Sequence, residues 1–125
     1  MSARFEEVAN VLQTYFDGLY FSDVGKLGSA LHPKAIYVSA TEEELVYRTM
    51  DEYLPIVAKR PSPASRGELR RDAIESIEFA GDKHALARVR CAIGDRHFTD
   101  LLSFVYSQAG WQIISKVFHY DIEAS

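Results

Sequence analysis

The sequence predicts an α+β fold in which helices come first and an antiparallel sheet follows. Three observations carry that prediction. Residues 3–21 repeat apolar side chains at three- and four-residue spacing, the stripe of an amphipathic helix. Residues 96–122 read as two long arms rich in β-branched and aromatic residues, the types that pack on a pleated surface. Gly81-Asp82 and Gly94-Asp95 punctuate the segment before those arms, as turns between strands do.

In order, Phe5, Val8, Leu12, Tyr15, Phe16 and Leu19 form the stripe of the first helix. Ser22 or Asp23 can cap a second, short helix, which Gly25 and Gly28 weaken and His32-Pro33 ends. Residues 35–39 and 45–48 are short strands around an acidic turn, Glu42-Glu43-Glu44. Thr49-Met50-Asp51-Glu52 is a capping box, in which the first and last residues satisfy backbone donors at a helix start. Met50, Tyr53, Leu54 and Val57 line the helix that follows to about Lys59, and Pro55 is expected to bend it or shift its start. Residues 61–67, rich in Pro and Ser, form a loop. Residues 69–80 and 84–94 are strands that join the two arms to make four.

If Ala109 and Gly110 are the two-residue turn of the last hairpin, Phe104 pairs with Ser115, Leu102 with Val117 and Asp100 with His119. Alternation then puts Phe98, Asp100, Leu102, Phe104 and Tyr106 on one face with Trp111, Ile113, Ser115, Val117 and His119. A two-residue Gly94-Asp95 turn adds Ala85, Ala87, Val89 and Cys91 to that face. Two turns read independently therefore agree on the core side. The opposite face carries Leu101, Val105, Ile114 and Phe118 among polar residues, a mixed set that suits contact with a second subunit.

The chain has 125 residues, 47% hydrophobic and 26% charged, the make-up of one soluble globular domain spanning residues 1–125. A net charge of −4 argues against nucleic acid, whose phosphates need a basic stripe. The single cysteine, Cys91, excludes an internal disulfide or a cysteine metal cage. The four histidines lack the spacing of a helical metal site, so neither metal nor cofactor is expected. No apolar run is long enough to span a membrane, and the N-terminus lacks a signal pattern. The expected location is the cytoplasm.

Leu31-His32-Pro33-Lys34-Ala35, Asp100-Leu101-Leu102-Ser103 and above all Gly110-Trp111-Gln112-Ile113-Ile114-Ser115-Lys116-Val117-Phe118 resemble motifs of the nuclear-transport-factor-2-like superfamily. Their details are similar to its putative lumazine-binding family, related to the SnoaL-like polyketide cyclases. The resemblance implies a cone: three helices of the N-terminal half packed on a strongly curved, mainly antiparallel sheet. It also implies a small-molecule pocket, while the fold alone leaves the chemistry undecided.

Asp100 opposite His119 is the sharpest pair. A carboxylate that holds an imidazole fixes its tautomer and raises its basicity, as a general base near neutral pH requires. Tyr15, Tyr37, Tyr47 and Tyr53 could ring a pocket with Phe104, Trp111 and Ser115, although such aromatics more often fill a core. Cys91 reads as packing rather than nucleophile. The leading expectation is a homodimeric cone that binds a small molecule. A cofactor-free dehydratase, isomerase or cyclase using Asp100 and His119 is the second reading, and a filled, non-catalytic dimerisation domain the third.

Overall fold

The first helix, α1 (Ala3–Phe21), buries Val8, Leu12, Tyr15, Phe16 and Leu19 of the stripe its spacing predicts and leaves Phe5 half-buried. It belongs to a computed structural model that describes residues 3–123. Asp23 caps α2 (Val24–Ala30), its carboxylate accepting from the Lys26 N–H at 3.1 Å. The two helices meet at Gly18, where a Cβ would stand only 2.6 Å from Leu27 Cγ. Only glycine permits that approach.

The first strand, β1 (Leu31–Ser39), begins directly after α2 and so is longer than residues 35–39. Its ladder with the last strand is irregular between Leu31 and Ile36. Pro33 sits in that gap, where its missing N–H breaks no ladder bond. After β2 (Val46–Thr49), the Thr49 N–H donates to Glu52 Oε1 at 2.9 Å and opens α3 (Met50–Lys59). Pro55 lies inside α3 without ending it.

Strand β3 (Ala73–Ala80) starts later than residue 69. The preceding residues are held by ion pairs instead, Arg70 to Asp17 at 2.8 Å and Arg66 to Glu68 at 2.8 Å. Strands β4 (His84–Ile93), β5 (Arg96–Ser107) and β6 (Gly110–Ile122) complete a six-stranded sheet in the order β2-β1-β6-β5-β4-β3. Only β1 and β6 run parallel. The helices cover one face, joining Val8, Leu12, Tyr15, Leu27 and Tyr53 to Ala87, Val89, Leu102, Phe104 and Ile113 in one core.

The β4–β5 register is the one the Gly94-Asp95 turn predicts, with Cys91 opposite Phe98, Val89 opposite Asp100 and Ala87 opposite Leu102. The β5–β6 register departs from expectation twice. The turn is Gln108-Ala109, closed by Ser107 opposite Gly110, whose φ of 86° only glycine takes without strain. That displacement is two residues, which preserves sidedness, so Trp111 and Ile113 stay on the face of Phe104. Next, a bulge passes from the Phe104–Ile113 pair to Ser103–Ser115, leaving Ile114 extra. One extra residue reverses every face beyond it. Lys116 and Phe118 turn inward; Ser115, Val117 and His119 turn outward. Phe118 is therefore buried rather than part of the outer stripe.

Candidate functional site

Asp100 lies opposite Phe118, and His119 lies opposite Thr99 on the other face of the sheet. The expected Asp100–His119 pair does not form, because the bulge at Ile114 turns His119 outward. Its ring nitrogens lie 2.8 Å from Thr41 Oγ1 and 3.0 Å from Asp121 Oδ1. With the histidine and Asp121 side chains 58% and 80% exposed, this is a solvated network that ties the loop after β1 to β6.

The inward partner of Asp100 is Lys116, delivered by the same bulge. Asp100 is completely buried. Its Oδ2 accepts from the Tyr15 hydroxyl at 2.7 Å and stands 3.9 Å from Lys116 Nζ, while Oδ1 has no hydrogen-bond partner among the described residues. The ammonium sits in a cage of rings: 5.3 Å from the centroid of Tyr15, 5.2 Å from Tyr37, 5.8 Å from Tyr53 and 5.0 Å from Phe118. Tyr37 and Tyr53 stack at 4.4 Å, nearly parallel. Helix α1 supplies the phenol, β5 the carboxylate, β6 the ammonium, and β1 and α3 the stacked pair.

Burial opposes the charge on Lys116, but Asp100 together with Tyr53, Tyr37 and Cys91 outweighs it and holds the ammonium above the usual lysine range. Burial, then the Asp100 charge, pushes Tyr15 well above an ordinary phenol. At neutral pH Tyr15 keeps its phenol proton and Lys116 its ammonium charge, and both gather on Asp100. Cys91 nearby is pushed up to about 12, by burial and then by Asp100, which leaves no thiolate to act as nucleophile.

Beyond Tyr37 and Phe118, the inner face opens into a cavity of about 170 Å³. Phe98 and Tyr120 wall its far side, and Arg48, Arg60 and Arg96 all line it. Arg48 comes from β2, Arg60 follows the end of α3, and Arg96 opens β5. Tyr37 and Phe118 belong to both the cavity wall and the cage around Lys116. A ligand in the cavity would rest on the rings that face the buried ammonium.

Of the residues expected to ring a pocket, Tyr15, Tyr37 and Tyr53 gather around Lys116. Phe104 and Trp111 are core; Trp111 packs edge-on against Phe79 and Tyr106 near the hairpin turn. Tyr47 is 56% exposed, on the face of β2 opposite Arg48, and Ser115 faces outward after the bulge. Sequence reasoning missed Lys116 and the three arginines. The Ile113-Ile114 doublet, a break in alternation, is the one signal that could have exposed the bulge. Nothing in the chain joins residues 48, 60 and 96.

A sequence profile of the family described as "Putative lumazine-binding" matches residues 3–119. Among curated proteins nothing matches. The fold is similar to that of an NTF-2 like protein of unknown function from Silicibacter pomeroyi, with a TM-score of 0.82, 22% identity, and 97% of this chain and 100% of that chain covered. An NTF2-like protein of unknown function from Shewanella baltica gives 0.81 at 20% identity, covering 94% and 93%. A ketosteroid isomerase-like protein from Erwinia carotovora atroseptica gives 0.73 at 9%, covering 96% and 98%. At these identities the likeness is one of fold, and it is the nuclear-transport-factor-2-like fold.

Proposed function

The chain belongs to the putative lumazine-binding family, and on that premise we propose that it binds a small molecule in the cavity between Tyr37, Phe98, Phe118 and Tyr120, as a homodimer. One observation carries the reading. The inner face is not packed shut at this end: a hollow of about 170 Å³ adjoins a caged ammonium. A domain built only to present its outer surface has no need of buried charge beside open space, since both lower stability. The enzyme reading loses its base with His119 on the other face, and the Tyr15–Asp100–Lys116 trio serves the site as a charged floor.

A cavity-filling variant tests this. Val46 lines the hollow and is half-buried; Val46→Trp should occupy it. Ligand-observed NMR with single- and double-ring fragments, lumazine included, should give binders for the native chain that Val46→Trp loses. Binders that persist unchanged in the variant, or none in a broad set, would count against the reading.

No helix among the described residues is long and apolar enough to cross a membrane.

A further inference from the structure

We propose that the ligand of this cavity is an aromatic carboxylate, its ring lying against Tyr37 and Phe118 and its carboxylate held by Arg48, Arg60 and Arg96. The inference rests on the small-molecule reading above and adds the ligand's chemistry to it.

The chain has nine arginines, and six have partners within the protein. Arg4 donates to the Gly81 carbonyl, Arg66 pairs with Glu68, and Arg70 with Asp17 and Asp72. Arg71 reaches the Gly94 carbonyl and Glu68, while Arg88 and Arg90 share Glu75. The other three form no ion pair or side-chain hydrogen bond among the described residues, and all three line one cavity. Arg60 Nε is buried without an acceptor among the described residues. Buried donors are nearly always satisfied, and three arginines on one cavity wall with no acceptor among the described residues are open to one from outside.

In a chain of net charge −4, three guanidiniums converge here with Glu42 as the one carboxylate on the same wall. That local excess of positive charge selects an anion, and the planar fork of arginine matches a carboxylate in two-point contact. The walls select the rest of the molecule. Tyr37 and Phe118 lie 4.7 Å apart at a tilt, Phe98 is 5.9 Å from Phe118, and Arg96 already lies over the Tyr120 ring at 4.6 Å. A cavity of about 150 Å³ is enough to hold benzene; 170 Å³ takes one ring, with its anion at the arginines.

Isothermal titration of the full chain with benzoate, benzamide, lumazine and inorganic phosphate separates the possibilities. Benzoate should bind one per chain. Benzamide, the same shape without the charge, should bind at least about tenfold more weakly, as should benzoate to Arg60→Gln. Should Arg60→Gln fail to fold by thermal melting, Arg96→Gln at the exposed start of β5 gives the same readout. Equal affinity for benzamide, phosphate alone matching benzoate, or indifference to the folded arginine variant would overturn the proposal. Lumazine binding without benzoate would overturn it too and leave the small-molecule reading standing; failure of all four probes and of the fragment set would remove both.

Discussion

Lys116 and Asp100 make each other tolerable in the core. Lys116 is 5% exposed and Asp100 fully buried, and a charge so placed without its partner is strongly destabilising. Lys116→Met should lower stability by about 3–5 kcal/mol in urea unfolding, because it strands the carboxylate. Adding Asp100→Asn should recover most of that loss. A single variant within about 1 kcal/mol of the native chain, on the same scale of buried-pair effects, would show that the pair is not coupled. The pH dependence follows in sign: the folded ammonium titrates above its unfolded value, so its contribution is complete below the ordinary lysine range. Lys116 titration should therefore leave the urea midpoint unchanged between pH 6 and 8; in strong alkali the midpoint should fall, and by less in Lys116→Met, which keeps the alkaline losses of Tyr15 and Cys91 but not that of Lys116. At this scale Asp100 was legible, as an acid amid Phe98, Leu102 and Phe104 on an apolar face. Its partner was not, because Lys116 becomes inward only through a backbone irregularity.

That irregularity belongs to the element scale. Strand β6 presents Trp111 and Ile113 inward, passes over Ile114, and resumes with Lys116 and Phe118. Deleting Ile114 removes the extra residue and leaves every inward side chain inward. Deleting Val117 from the regular ladder turns Phe118 and all that follows to the wrong face. Circular dichroism and urea unfolding should find the Ile114 deletion folded and cooperative, and the Val117 deletion far less stable. Equal damage from both would mean β6 is uninterrupted. Helix α1, the Asp23 cap, the Thr49–Glu52 start of α3 and the β4–β5 register were all readable, since each depends on residues close in sequence. Strand β3 was read too long because Arg70 and Asp72, written as strand residues, are drawn into ion pairs with each other and with α1. A bulge leaves almost no local trace, and the Asp100–His119 register failed on it.

Across the whole molecule the sheet has two different faces. The inner one holds the core, the caged ammonium and the cavity. The outer one leaves Leu86, Leu101 and Val117 each about two-fifths exposed, beside open depressions of about 600 Å³ on either side. Water is a poor neighbour for such a stripe, and a second copy is the occupant we propose. Sedimentation at micromolar concentration should give twice the 14.1 kDa chain mass, and Leu101→Lys should return a monomer; a single-chain species throughout would contradict it. The convergence of Arg48, Arg60 and Arg96 also belongs to this scale: the fold brings β2, the residue after α3 and the start of β5 to the wall of one cavity, which is why no local pattern announced it.

Where a bound ligand sits decides whether this cavity is the binding site. Crystals soaked with an aromatic fragment that binds in solution should show its density against Tyr37 and Phe118, with the three arginines within reach. Density confined to the outer face of the sheet, or beside Trp111 in the core at the hairpin turn, would contradict it.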